Sequence, residues 1–556
     1  MYQVLDIVLF RKLLFCSFIS CSLFSSNFVE KLEFREDTSE LNKAQALNPN
    51  SHINIFLPSI PYTYIAKATN SGLIRAFDNE QGWEYDLAET HERLDDFTYI
   101  FTLRDNLKFQ NGEKFTIDDV IYNLEYFRKN PFLYTNIHKI DFDIIKLDKK
   151  RVKIVLKQKY EMFLKDLADV YFYTKEYIEK YNPVGKETGT ANKVEGSFAM
   201  GPYILKEGFA IGHKQTDKLE LVANPYYWNK EFPKISRITV YTQLDINEAI
   251  EDITKKEGKL DLMPIPFNKK FEVILSKYSK LVISKSTDNF IIFFNLINGN
   301  KKLLNDDIRI ALNQALDQEF LLNFVYKKEG RISPFTASIN YDIVEQVAKE
   351  YKIDEKIFSF AELQILLNGL ELNIFTQDRF IFLFKGIEFQ LQKYGVKLNY
   401  HITTSEKDIY KELLTTNKNQ NEKNWDLLIW GNDDWYYQNP WTVFFIYHYG
   451  SAWSVIPKDK IMQDYIEKFF ITKPFTPKYK EVVKNILHRE RQKAYTLRVP
   501  SSNRVMAVNK EVIYKPYKGG IIPLWRIELS KNHWSIRENK TYDKELEKAI
   551  KPKRIE

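Results

Sequence analysis

Leu87–Val120 reads LAETHERLDDFTYIFTLRDNLKFQNGEKFTIDDV. Thr98-Tyr99-Ile100-Phe101-Thr102-Leu103 alternates in polarity and predicts a strand with one buried face. Asn111-Gly112 then turns the chain. Thr116 stands as the N-cap of a following helix, with Asp119 in the capping-box position. Ile121, Leu124 and Phe127 continue at helical spacing. A strand, a turn and a capped helix thus follow one another within 34 residues.

A chain of 556 residues is too long for one simple core, so two or three lobes are expected. Hydrophobic content of 44% and charged content of 28% are ordinary for a globular protein. The net charge of +7, against 81 Lys/Arg and 74 Asp/Glu, is small and spread along the chain. No basic arm or block suggests nucleic acid as a partner. The two cysteines, Cys16 and Cys21, both lie near the N-terminus. The remaining chain therefore has no disulfide and no thiolate metal site, and no cofactor is expected.

Arg11-Lys12 precede Leu13–Ser20, a short apolar run ending at Cys21. Basic residues before an apolar segment are the layout of a secretory signal, and the run is too short to span a bilayer as a helix. Phe18-Ile19-Ser20-Cys21 resembles a bacterial lipobox, which implies lipidation at Cys21, with Phe18 in place of the usual Leu. Residues 1–21 are thus expected to be a leader and 22–49 a tether.

The opening block resembles a segment of the bacterial solute-binding proteins that serve oligopeptide and dipeptide ABC transporters, family 5. Further blocks follow in the same order. Gly201-Pro202-Tyr203 is similar to the family's GTGPY strand, and Leu219–Trp228 (LELVANPYYW) to its NPxYW segment. Gly258–Asp261 matches a G-x-x-D ending, and Asp307–Asp317 (DIRIALNQALD) a D-x-R-x-A helix. Gly386–Val396 (GIEFQLQKYGV) and Ile522-Pro523-Leu524-Trp525 complete the series. In the Asp307 helix, Ile308, Ala311, Leu312, Ala315 and Leu316 share one face, with Arg309 and Asp317 elsewhere.

The resemblance implies a periplasmic-binding-protein-like α/β fold of two lobes around a hinge, with an extra domain inserted in the first lobe. The first lobe would comprise 50–75, 196–285 and 515–556, the extra domain 76–195, and the second lobe 286–514. It implies a monomeric, exported solute-binding component of an ABC importer. Its partners would be short peptides, the permease and ATPase subunits, and the membrane through an N-terminal lipid or tether. The expected location is the periplasm or the outer face of the cytoplasmic membrane. A nickel chelate, haem or an oligosaccharide is the alternative ligand on the same fold, with His448 as a possible metal contact. A hydrolase is the alternative of another class.

Trp425–Trp453, WDLLIWGNDDWYYQNPWTVFFIYHYGSAW, holds five of the nine tryptophans. Leu427–Trp430 reads as a buried strand that ends in a Gly431 turn carrying Asp433, Asp434, Trp435 and Tyr436. In open α/β sheets, ligands lie beyond the carboxyl ends of strands. The family carries GW-x-x-D here, whose aspartate pairs with the peptide α-amino group. The spacing from Trp430 puts Asp433 on that position, and a longer segment up to Pro440 keeps Asp434 as a substitute. The candidate ligand residues are therefore Trp430, Gly431, Asp433, Asp434, Trp435 and Tyr436. No catalytic residue is expected. The histidines form no H-E-x-x-H zinc pattern, and G-x-S-x-G and phosphate-loop motifs are absent. Adjacent carboxylates such as Asp95-Asp96 and Asp118-Asp119 diverge on a strand or helix and read as caps and turns.

Overall fold

The computed structural model describes residues 47–537 except 59–61, 132–133, 185–191, 212–213, 257, 354–355, 433 and 450. Cys21, the expected lipidation site, and Asp433, an expected ligand residue, lie outside the described residues.

Thr98–Leu103 is a strand whose Tyr99, Phe101 and Leu103 are buried while the residues between them are half-buried. It sits inside a four-stranded antiparallel sheet with Ala88–Arg93, Arg151–Leu156 and Phe142–Lys146. The helix Ile117–Lys129 follows and buries Val120, Leu124 and Phe127. Its start is held by Asp119, which accepts from the Thr116 backbone N–H and hydroxyl, both at 2.8 Å. The backbone N–H of the N-cap is satisfied in this way.

A second sheet has seven strands, in the order Ser279–Ser284, Arg504–Asn509, Leu260–Pro264, Asn48–Phe56, Ile235–Tyr241, Lys218–Ala223 and Tyr203–Glu207. Asn48–Phe56 is parallel to both of its neighbours. A third sheet has five strands, in the order Lys397–Thr403, Glu371–Gln377, Leu427–Asn432, Asn289–Phe294 and Thr496–Leu497. Glu371–Gln377 is parallel to both neighbours, whereas Leu427–Asn432 runs antiparallel to Asn289–Phe294. The chain passes between the second and third sheets at 285–288 and returns at 498–503. The two crossovers lie side by side where they join the seven-stranded sheet, because Ser284 is paired with Arg504. Two adjacent crossovers form the covalent basis of a hinge. The strand Arg504–Asn509 already belongs to the seven-stranded sheet, whereas the sequence reading returned the chain to that lobe at 515.

Three of the motif blocks meet at one joint: the opening block through Arg104, LELVANPYYW through Trp228 and IPLW through Trp525. Asp86 pairs with Arg75 at 2.6 Å and accepts from Trp228 Nε1 at 2.8 Å. The Arg104 guanidinium lies 3.9 Å from the centre of the Trp228 ring, and that of Arg75 lies 4.9 Å from Trp525. Gly201 is required by a close approach: a Cβ there would lie 2.2 Å from the carbonyl carbon of Thr69. Asp261 receives the Asn54 N–H at 2.8 Å, Asn509 Nδ2 at 3.0 Å and Trp534 Nε1 at 3.0 Å, and so ties early and late segments together. In the helix Asp306–Gln314 and its extension, Ile308, Ala311, Leu312, Ala315 and Leu316 are buried. Arg309 is buried too. It donates to the carbonyls of Lys493 at 2.6 Å and Ala494 at 3.0 Å, where the helix Pro477–Lys493 ends and its last carbonyls need donors.

Candidate functional site

The strand Leu427–Asn432 delivers the chain to a buried loop at its carboxyl end. Within the strand, Trp430 is buried in an aromatic cluster of the same unit. Its ring stacks on Trp453 at 4.7 Å and meets Tyr410 edge-on at 5.8 Å. Gly431 is half-buried, with Phe380 and Phe290 at ordinary contact distance from where a Cβ would sit. Trp430 and Gly431 therefore face second-lobe aromatics.

Past Asp433 the loop turns toward the inserted region. Asp434 is fully buried. Its Oδ2 accepts from Gln438 N at 2.9 Å and lies 2.8 Å from the Thr287 hydroxyl. Its backbone N–H donates to Gly519 O at 3.2 Å. Its Oδ1 takes no hydrogen bond from the described residues. Thr287 lies on the first crossover and Gly519 beyond the return to the first lobe, so Asp434 ties the strand end to the hinge. Burial pushes its carboxyl well above the usual carboxylate range, because the charged form loses solvation.

Trp435 packs edge-on against Tyr134 at 5.4 Å and against Phe445 at 5.1 Å. The Tyr436 hydroxyl donates to Asp166. Tyr160 donates to the same carboxylate at 2.5 Å, and Asn136 N at 2.6 Å. Despite these donors, burial holds Asp166 up at about 6. Tyr437 and Gln438 both have positive φ, +36° and +56°, a region that residues with a Cβ avoid. Lys165 Nζ donates to the carbonyls of Tyr437 at 2.7 Å and Tyr436 at 3.2 Å. Lys67 pairs with Asp169 at 2.7 Å, both buried, and its Nζ lies 5.5 Å from the centre of the Tyr437 ring.

Of the six residues expected from sequence, the structure brings Asp434, Trp435 and Tyr436 together in one buried loop against the inserted region. Trp430 and Gly431 lie earlier, on the strand. Lys165, Asp166, Asp169 and Thr287 are partners that the sequence reading missed. A usable signal was present in Phe163–Thr174, FLKDLADVYFYT, where three charged residues interrupt an apolar run. Buried charges there require partners. Among the described residues no group of three or more His, Cys, Asp or Glu could hold a metal ion. No helix among them is long and apolar enough to cross a membrane.

Two α/β units joined by paired crossovers, with an extra antiparallel domain inserted in the first, define the two-lobe periplasmic-binding-protein class. The oligopeptide-binding protein AppA from Bacillus subtilis, solved with a nonapeptide, matches with a TM-score of 0.69 at 16% identity, covering 87% of this chain and 100% of that one. NikA from Staphylococcus aureus, solved with Ni(L-His)2, gives 0.67 at 18% identity, with 86% and 100% covered.

Within that class the chain belongs to the bacterial extracellular solute-binding proteins, family 5, whose profile matches residues 82–454. The nickel-binding protein NikA of S. aureus is 26% identical over 309 residues, 54% of this chain and 57% of that protein. The glutathione-binding protein GsiB of Salmonella typhi is 29% identical over 285 residues, 50% of this chain and 51% of that protein. The match thus spans little more than half the length of these curated relatives.

Proposed function

We propose that this chain is the extracytoplasmic solute-binding component of an ABC importer, capturing short peptides between its two lobes and delivering them to a membrane permease and its ATPase. The observation that carries this reading is the buried carboxylate at the end of Leu427–Asn432, beside the hinge, with one oxygen of Asp434 free of hydrogen bonds from the described residues. A buried ammonium needs such an acceptor, and a peptide's α-amino group supplies one. By the family register Asp433 is the primary partner of that group, with Asp434 as its substitute. The peptide backbone would add as an extended strand at a lobe edge, giving affinity with little sequence dependence. The chain would act outside the cytoplasm, tethered through Cys21, and would have no enzymatic activity.

Native mass spectrometry of protein purified from cells tests this directly. A carried mixture of short peptides is expected, and a single defined chelate or sugar mass would overturn the peptide reading.

One observation favours a second reading, a nickel chelate. Burial brings the His448 imidazole down to about 4, so it is neutral at pH 7. Its Nδ1 has no hydrogen-bond partner among the described residues. A neutral ring nitrogen is a metal ligand, and the same spectrum would show the chelate.

A further inference from the structure

Gly82 and the carbonyls of Tyr436 and Tyr437 form a seat for one ammonium group, and Lys165 fills it. Lys165 leaves the short helix Phe163–Leu167 of the inserted region and reaches residues 271 and 272 positions away in the chain. The seat depends on the absence of a side chain at Gly82. A Cβ there would lie 1.8 Å from Lys165 Nζ and 2.8 Å from Tyr437 O, and the glycine itself has φ +76°.

Two carboxylates act on Lys165 through their charge, and each has one oxygen engaged elsewhere. Asp169 Oδ1 is taken by Lys67 at 2.7 Å and by the Tyr171 hydroxyl at 3.0 Å. Asp434 Oδ2 is taken by Thr287 and Gln438. Burial brings the Lys165 ammonium down to about 8 against a favourable field from Asp434 and Asp169, and its direct partners are the two carbonyls. Those carbonyls enter the left-handed pair Tyr437-Gln438, a turn that persists only where its surroundings hold it.

We propose that Lys165 is a positioning residue of the closed protein: its ammonium, carried by the inserted domain, holds the strained Asp434–Gln438 turn of the second lobe in its buried shape. This rests on the two-lobe capture reading given above. The shape of the turn then depends on the inserted domain staying against it.

Hydrogen exchange of the full-length protein, wild type against Lys165→Met, tests the assignment without a ligand. The expected result is at least a tenfold loss of protection at the Asp434 and Gln438 amides. Protection of the strands Thr98–Leu103 and Arg151–Leu156 should stay unchanged. Unchanged protection at the turn overturns the proposal. Equal loss in the turn and the strands also overturns it, because Lys165 would then be a core residue of the inserted domain. If Lys165→Met does not fold, Lys165→Gln is read by the same contrast. A labelled tripeptide should leave Lys165→Met about ten times faster than wild type, with little change in association rate. If wild type binds no tripeptide, the peptide reading fails while the exchange contrast still decides Lys165.

Discussion

The Thr287 hydroxyl lies 2.8 Å from Asp434 Oδ2 and links the first crossover between the lobes to the end of a second-lobe strand. The same hydroxyl is 3.0 Å from Lys518 O, and the Thr287 N–H donates to that carbonyl at 2.7 Å. Hinge, strand end and returning chain therefore meet at one side chain. Thr287→Val keeps the shape and removes the donor, leaving Asp434 Oδ2 with Gln438 N alone among the described donors. A buried acceptor that loses a partner costs about 1–3 kcal/mol. The urea midpoint should fall accordingly, and an unchanged midpoint would show that Asp434 does not depend on the hinge residue.

Arg75 and Asp86 form the ion pair at the joint between the inserted sheet and the first lobe. Both are buried. Arg75→Met leaves Asp86 without its cation, a type of change that costs about 3–5 kcal/mol. Urea denaturation followed by circular dichroism measures it, and a loss below about 1 kcal/mol would contradict the role given to this joint.

Asp166 makes the stability of the protein depend on pH. Its carboxyl has an ordinary value of 3.8 and is held up at about 6 by burial in the folded protein. Between those values the folded state binds a proton that the unfolded state has released, so stability falls as pH rises through this window. The burial penalty is fully present above about 6 and relieved toward 4, with a span on the order of 3 kcal/mol. Asp166→Asn should flatten the stability profile between pH 4 and 6. An equally steep fall in the variant would assign the slope to other groups.

Cys21 is proposed as the lipidated residue. Metabolic labelling with a palmitate analogue should mark wild type and fail in Cys21→Ser. Equal labelling of both, or of neither, would contradict a lipid tether, since firm anchoring needs two acyl chains or a second signal.

Much of the fold was legible because local rules and the family pattern agree over long stretches. The alternation in Thr98–Leu103 and the Thr116–Asp119 cap were readable from polarity alone. The collinear blocks gave the two-lobe class. Arg309 was harder: helical spacing puts it off the apolar face, and only the tertiary fold brings the end of Pro477–Lys493 against it. The candidate site was proposed from sequence only to the level of a segment. A strand end rich in acids and rings pointed to Asp434, Trp435 and Tyr436, whose partners Lys165, Asp166 and Thr287 lie about 147–271 residues away in sequence. No local periodicity reports contacts of that range. Trp430 shows the converse limit, since a tryptophan at a strand end can serve a lobe's own core.

We propose that a carboxylate at this strand end receives the ligand's α-amino group. Isothermal calorimetry of one tripeptide, with free and with acetylated N-terminus, tests it on wild type, Asp433→Asn and Asp434→Asn. Removing one partner of a desolvated charge pair costs about 2–5 kcal/mol. The free-amino peptide should therefore bind wild type some thirty- to several-thousandfold more tightly than Asp433→Asn. Asp434→Asn should lose much less, and the acetylated peptide should already bind wild type poorly. Equal affinity of both peptides for wild type, unaltered by either substitution, would contradict the account.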